Sequence, residues 1–149
     1  MNSFRKFGRP ASVRVPFLWL AALLLFLAAG PAYAREQAKA LPTTGNISVQ
    51  EAAALLADPP DGLIILDVRT PQEFREGHLA GARNMDFFGS RFELDTADLP
   101  KDAPLLIYCR SGKRSAAAAE SLAGSGATRI LHMHSGIEGW KAAGLPLEK

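Results

Sequence analysis

The chain has 149 residues, of which 17 are basic and 15 are acidic, and it contains one cysteine. A single cysteine excludes an internal disulfide, and the full chain has a formal net charge of +2. A chain without internal disulfides must be stabilised by its hydrophobic core, and this one is long enough to bury such a core.

The N-terminal segment has the three parts of a secretory signal peptide. A basic region without acids covers residues 1–14, the apolar run "FLWLAALLLFLAAG" follows, and "PAYA" ends at Ala34 with the small residues that signal peptidase requires. We therefore predict a signal peptide over residues 1–34 and export to the periplasm. The alternative is an uncleaved membrane anchor, because residues 15–34 carry no charge and ~20 apolar residues can just span a bilayer.

Cleavage after Ala34 would change the charge of the remaining chain. Four of the 17 basic residues and none of the 15 acidic residues lie in 1–34, so 13 basic and 15 acidic residues would remain, a net charge of −2. Nothing in this remainder indicates nucleic-acid binding. The chain would contact the membrane only through the segment 1–34, before that segment is removed. About 115 residues are left, which is enough for one domain.

The exported chain begins with a predicted polar linker, 35–46, followed by one domain over 47–149. The stretch "SVQEAAALLAD" places Ser48 three residues before Glu51, which is the spacing of a capping box at the start of a helix. "LIILDVR" (63–69) is a continuous apolar run, typical of a strand that is covered on both faces.

The second half continues the alternation of strands and helices. "TPQEFREG" predicts a helix with Thr70 as N-cap and Pro71 at its first position. "PLLIYC" (104–109) and "TRILHMH" (128–134) predict strands, and the helical patterns "KRSAAAAESLAG" and "GIEGWKAAG" follow them. The pattern predicts an α/β fold with an open parallel sheet and helices on both of its faces.

The only cysteine lies in "YCRSGKRSA" (108–116), between a predicted strand and a predicted helix. Ligands of open α/β sheets bind at the carboxyl ends of strands, so Cys109 would lie at the binding edge. Gly112 can adopt the backbone angles that turn several N–H groups and the next helix N-terminus toward one anion. This setting favours a reactive thiolate over an intermolecular disulfide or an inert buried cysteine.

This thiol is followed closely in the sequence by three cations, Arg110, Lys113 and Arg114. Lowering a thiol pKa from ~8.5 to ~7 takes about 2 kcal/mol, whereas a helix dipole typically contributes ~0.3 to 1 kcal/mol. We therefore expect the cations to provide much of the shift. Cys109 is the candidate nucleophile, and its substrate is expected to be an anion.

These segments resemble the single-domain rhodanese-like sulfurtransferases, particularly their small periplasmic (phage-shock type) members. The resemblance covers nearly all of the exported chain and rests on "LDVRTPQEFREGHLAGARNM" (66–85), "YCRSGKRS" and "GIEGWKAAGLP" (136–146). One departure is Ser135 before Gly136, where the family commonly has two glycines.

The resemblance implies the chemistry and the site. Cys109 would take a sulfane sulfur from thiosulfate or a related small anion, carry it as a persulfide without any cofactor, and pass it to cyanide or a thiol. The loop that cradles the persulfide and the substrate anion would be formed by Arg110, Ser111, Gly112, Lys113, Arg114 and Ser115. No metal is implied, and the resemblance does not identify a protein partner.

Two alternatives remain open at this point. Cysteine phosphatases and arsenate reductases share similar folds, but their loops have the spacing C-x5-R, which would require an arginine at position 115. This chain has Ser115 there, and Arg114 comes one position earlier. A non-catalytic binding module of the same fold is the second alternative, and the cysteine with its donor-rich loop argues against it.

Four other polar residues have structural explanations that we prefer. His132 and His134 are two apart on a predicted strand, which suggests packing at the sheet more than a metal site, because no third ligand is evident in the sequence. Asp67 and Arg69 end a predicted buried strand, and we expect them to form an ion pair that braces the cysteine loop.

Overall fold

The computed structural model describes residues 43–149, so the predicted signal peptide and most of the predicted linker lie outside the described residues. The strands are β1 (Gly45–Ile47), β2 (Ile64–Asp67), β3 (Arg83–Asn84), β4 (Leu105–Tyr108) and β5 (Ile130–Met133). The helices are α1 (Val49–Ala57), α2 (Pro71–Glu76), α3 (Phe92–Ala97), α4 (Lys113–Gly124) and α5 (Gly136–Ala142). None of these helices within 43–149 has the length and apolar character needed to cross a membrane.

The strands of the described region form one parallel sheet in the order β1-β5-β4-β2-β3. Leu66, Ile107 and His132 lie side by side across β2, β4 and β5. Strand β4 is therefore central, and all four of its residues are buried. Because the sheet is parallel, the carboxyl end of β4, where the cysteine follows, lies at the same edge as the ends of β2 and β5.

Two hydrophobic clusters cover the two faces of the sheet. Leu106 and Tyr108 of β4 point into a cluster with α1 and α5, whereas Leu105 and Ile107 point into a cluster with α3 and α4. This alternation is why the strand reads as a continuous apolar run in the sequence. The predicted α/β fold with a parallel sheet and helices on both faces is confirmed.

The predicted helix starts are confirmed in detail. The Ser48 side chain accepts a hydrogen bond from the backbone N–H of Glu51 at 3.2 Å, and the Glu51 carboxylate accepts one from the Ser48 backbone at 2.7 Å. Thr70 and Glu73 form the same reciprocal arrangement at the start of α2, with Pro71 in the first turn. Both helices are therefore fixed at their N-termini by side chains that are close in sequence.

Three short elements were not predicted from the sequence. Strand β1 begins at Gly45, two residues before the predicted start of the domain, and β3 contains two residues. Helix α3 has six residues, and Arg91 at its N-cap makes no side-chain capping bond. Elements this short carry too few residues for a periodic pattern, and their positions depend on partners that are distant in sequence.

Candidate active site

Cys109 begins the turn between β4 and α4, as the sequence predicts. The backbone N–H of Gly112 donates a hydrogen bond to the Cys109 Sγ at 3.2 Å. Gly112 has a φ of 92° in the left-handed region, and a Cβ at this position would overlap the carbonyl oxygen of His134. Only glycine therefore allows the chain to curl around the sulfur before α4 begins at Lys113.

The start of α5 supports this loop from the other side. Ile137 N–H donates to the Cys109 carbonyl at 2.9 Å, and Glu138 N–H donates to the Arg110 carbonyl at 3.1 Å. Gly136 has a φ of 59°, and a Cβ there would overlap these same two carbonyl groups. Ser135 has a φ of −88°, which any L-residue can adopt, so a second glycine is not needed at this point.

The thiol of Cys109 is buried and its pKa lies below the ordinary value. The residue is 1% exposed and packs in the cluster beneath α3 and α4. Burial raises the pKa of Cys109, but hydrogen bonds outweigh this effect. The groups that lower the pKa are the Ser115 side chain and the backbone N–H groups of Ser115, Ser111 and Gly112. The polar groups of the loop therefore favour the thiolate, and the Gly112 N–H among them contacts the sulfur at 3.2 Å.

The expectation that the cations provide much of this shift is wrong, because none of them is among the main causes and two of them are paired with carboxylates. Arg110 Nε donates to Glu138 Oε1 at 2.6 Å, in a pair whose side chains are 68% and 51% exposed. Arg114 binds both carboxylate oxygens of Glu73, at 2.7 and 2.8 Å. Arg114 nevertheless stays near the sulfur: after Glu73, the Cys109 thiolate also contributes to raising the pKa of Arg114.

The six predicted loop residues fall into two groups. Gly112 and Ser115 are buried against the cysteine, and Arg114 is partly buried. Arg110, Ser111 and Lys113 are exposed on the outside of the loop. The first group can act on the sulfur itself, and the second forms the surface that an approaching anion would meet first.

Ser115 has a buried histidine behind it, a contact that sequence reasoning missed. Ser115 Oγ lies 2.9 Å from His132 Nε2 and 3.1 Å from the Gly112 carbonyl oxygen. His132 Nδ1 lies 2.9 Å from Asn46 Oδ1 on the neighbouring strand β1. The sequence assigned His132 to packing, and nothing local could have paired it with a serine 17 residues earlier. His134 is exposed, and residues 43–149 contain no group of three or more side chains arranged to hold a metal ion.

Asp67 and Arg69 form the predicted ion pair at the end of β2. Arg69 Nε donates to both carboxylate oxygens of Asp67 at 2.9 Å, and both residues are buried. The Arg69 guanidinium also donates to the Gly77 carbonyl at 2.7 Å. The pair therefore fixes the end of β2 to the turn after α2, and it contacts the residue before the cysteine, because the Arg69 guanidinium carbon lies 6.0 Å from the centre of the Tyr108 ring.

The Glu73–Arg114 pair predicts a pH-dependent stability. Hydrogen bonds from Arg114 lower the pKa of Glu73 from its ordinary value of 4.5 to about 2. Because the folded-state pKa is lowered, this stabilisation is complete above pH 4.5 and is lost as the pH falls toward 2. We expect Glu73→Gln to lower the free energy of unfolding at neutral pH by about 2 kcal/mol.

Urea unfolding followed by Trp140 fluorescence, at several pH values, tests this expectation. The difference between wild type and Glu73→Gln should shrink as the pH falls below 4.5. Glu76→Gln is the matched control, because it is an exposed glutamate on the same helix, and it should change the stability by less than about 0.5 kcal/mol. A constant difference between wild type and Glu73→Gln across this pH range would contradict the assigned role of the pair.

Comparison with known proteins places the cysteine loop inside one matched family region. The family model described as "Rhodanese-like domain" matches residues 48–143. The thiosulfate sulfurtransferase GlpE of Ectopseudomonas mendocina is 38% identical over 97 residues, which are 65% of this chain and 84% of that protein. A protein of Allochromatium vinosum named sulfurtransferase is 35% identical over 102 residues, 68% of this chain and 92% of that protein.

A solved structure shows the same fold. The rhodanese-related protein of Thermoplasma volcanium superposes with a TM-score of 0.61 at 28% identity, over 70% of this chain and 98% of that protein. The matched family region runs from the N-cap of α1 past the end of α5. It therefore includes the cysteine loop, the helix start that supports it, and both ion pairs made by the loop arginines.

Proposed function

The chain belongs to the rhodanese-like domain family, as its sequence indicates, and we propose on this premise that it is a sulfurtransferase that uses Cys109 as its sulfur carrier. The observation that carries the proposal is the sulfur of Cys109, which accepts the Gly112 N–H and has a lowered pKa at the start of α4. The name thiosulfate sulfurtransferase, carried by a relative, suggests thiosulfate as the donor.

The proposed reaction has two steps. The Cys109 thiolate attacks the outer sulfur of thiosulfate, the S–S bond of the donor breaks, and sulfite leaves with the bonding electron pair. A persulfide remains on Cys109. Cyanide or a thiolate then attacks the terminal sulfur, forms thiocyanate or a new persulfide, and returns the thiolate of Cys109. Atoms and electrons balance without a cofactor, because the cysteine itself carries the sulfur.

The loop would stabilise the charge at each stage. A thiolate, a departing anion and a terminal persulfide sulfur all carry negative charge, and fixed N–H donors stabilise such charge without rearranging. Cys109 is only 1% exposed, so the incoming group has to be small, as the single outer sulfur of thiosulfate is. The exposed Arg110 and Lys113 would attract the dianion to the loop.

The arrangement argues against a phosphatase. In a C-x5-R loop the arginine closes the ring around a tetrahedral oxyanion, whereas position 115 here is a serine buried against the cysteine. Both terminal nitrogens of the Arg114 guanidinium already donate to the carboxylate of Glu73. A purely binding role is disfavoured as well, because a site without catalytic activity would not need donors that lower the pKa of its thiol.

Steady-state kinetics with thiosulfate and cyanide test the proposal. Thiocyanate should form, and the double-reciprocal plots at several cyanide concentrations should be parallel, because a covalent intermediate gives ping-pong kinetics. Hydrolysis of an aryl phosphate serves as the competing assay. A protein that hydrolyses the phosphate ester faster than it forms thiocyanate would contradict the proposal.

We also propose that the protein acts after export. The basic region, apolar run and Ala34 of the N-terminal segment support cleavage by signal peptidase. N-terminal sequencing of the protein from a periplasmic extract should therefore begin at Arg35. Recovery of the full chain with Met1 in the membrane fraction would instead identify the segment as an anchor.

A further inference from the structure

We propose that Glu73 is a specificity-determining residue: its carboxylate occupies the guanidinium of Arg114 and so keeps the cysteine loop from binding sulfate-like oxyanions tightly. The inference rests on the proposed function and deepens it, because it concerns the anion that the same loop receives. Arg114 Nη1 donates to Glu73 Oε2 at 2.7 Å, and Nη2 donates to Oε1 at 2.8 Å. These two bonds use the pair of N–H groups with which an arginine binds planar or tetrahedral oxyanions.

The ion pair lies at the edge of the sheet that carries the cysteine. Strands β2 and β4 are paired up to their last residues. Helix α2 follows β2 with Glu73 in its first turn, and α4 follows β4 with Arg114 in its first turn. Arg114 comes two residues after Gly112, whose N–H donates to the Cys109 Sγ at 3.2 Å. The pair therefore joins two helix starts beside the thiol, where a substrate anion has to bind.

The Glu73 carboxylate is held by a second set of bonds. Its Oε2 also accepts from the Thr70 backbone N–H at 3.1 Å and from the Thr70 hydroxyl at 3.2 Å. The side chains of Arg114 and Glu73 are only 18% and 26% exposed, so water screens the pair incompletely. An incoming anion can bind the Arg114 guanidinium only if it displaces a carboxylate that is fixed from two sides.

This arrangement suits a site from which an anion must also leave. The sulfite end of thiosulfate and the departing sulfite carry the same kind of oxygen atoms, so a free guanidinium would bind both. Binding substrate and product equally tightly slows release without lowering the barrier to transfer. The exposed Lys113 can still attract the dianion as a point charge. Glu73 therefore sets how long an oxyanion stays in the loop.

Protection of the thiol by sulfate tests the inference. Cys109 is the only cysteine, so the rate of iodoacetamide alkylation reports this thiol alone. At constant pH and ionic strength, sulfate bound beside the thiol should slow the alkylation. In Glu73→Gln the sulfate concentration that halves the rate should fall about tenfold, because the released guanidinium gains the anion as its charged partner.

The kinetics of sulfur transfer give a second readout. In Glu73→Gln the apparent KM for thiosulfate should fall and sulfite should inhibit at a correspondingly lower concentration, whereas kcat should not rise. Damage to the loop would act in the opposite direction, because it would weaken the binding of both anions.

Three controls separate this effect from charge and from stability. Glu76→Gln makes the same change of charge at an exposed position of the same helix and should leave the protection by sulfate unchanged. Thr70→Ala weakens the cap of α2 but keeps both Arg114 bonds, so it should also leave the protection unchanged. Glu73→Gln combined with Arg114→Gln should bind sulfate as weakly as wild type, because the gain requires the guanidinium.

If Glu73→Gln does not fold, Glu73→Met replaces it, since methionine has a similar length and no charge, and the same tenfold fall is expected. The inference is overturned if the folded variant keeps the wild-type protection by sulfate, or if Glu76→Gln or the double variant gains as much. Alkylation requires no transfer of sulfur. The expected gain in a protein that forms no thiocyanate would therefore overturn the proposed function and leave the role of Glu73 standing.

Discussion

Cys109→Ser is expected to reduce sulfur transfer to the background rate while the protein remains folded. Serine is nearly isosteric with cysteine and can accept the Gly112 N–H that now binds Sγ. Its hydroxyl, however, cannot be ionised by an environment that shifts a pKa by one or two units. We expect the free energy of unfolding to change by less than about 1 kcal/mol, because the cavity is already filled and one polar bond is retained.

Thiocyanate formation and urea unfolding of the same preparation measure both parts of this prediction. Ser111→Ala is the matched control, since it changes an exposed side chain of the same loop and keeps the backbone N–H that faces the sulfur. It should keep most of the activity. Residual turnover in Cys109→Ser above the rate without protein would show that the sulfur is carried elsewhere.

Gly112→Ala is expected to have the largest effect on the fold of the site. A Cβ at this position would overlap the His134 carbonyl oxygen, and the φ of 92° is unfavourable for alanine. Backbone strain of about 1 to 2 kcal/mol and the overlap together should cost about 3 kcal/mol or more. If the loop moves to relieve the overlap, the Gly112 N–H leaves the sulfur, so the pKa of Cys109 should rise.

Gly126→Ala separates strain from overlap. Gly126 has a φ of 98°, close to that of Gly112, but the nearest atom to a Cβ there is Lys101 Cδ at 4.0 Å. It should therefore lose only the strain of about 1 to 2 kcal/mol and keep the thiol pKa of wild type. Equal losses of stability in the two variants would mean that the loop has room for a side chain at position 112. This result would contradict the predicted overlap with the His134 carbonyl oxygen.

The sequence predicts the parts of this fold that depend on local chemistry. The capping boxes at Ser48 and Thr70 lie within four residues each, and helix α4 has the predicted bounds because Gly112 and the alanine-rich run determine it locally. The central strands are evident because burial on both faces makes them continuously apolar. Strands β1 and β3 are too short to carry such a pattern and form only by pairing with the sheet.

The site follows the same division. Cys109 and its loop are contiguous, and they could be named from one stretch of sequence. Glu73 lies 41 residues from Arg114, and Glu138 lies 28 residues from Arg110, so no local pattern indicates that these cations are paired. His132 is brought to Ser115 only by the order of the strands. Contacts of this kind depend on the tertiary fold. Hydrogen bonds, and not the charges of these cations, are the main causes that lower the pKa of the Cys109 thiol.

Intact-mass spectrometry tests whether Cys109 carries sulfur. The protein should be measured before thiosulfate, after thiosulfate, and again after cyanide. We expect the mass of one sulfur atom to be gained from thiosulfate, removed by cyanide, and absent throughout in Cys109→Ser. A folded wild-type protein that gains no sulfur, or a Cys109→Ser variant that gains it equally, would contradict the role of Cys109 as sulfur carrier.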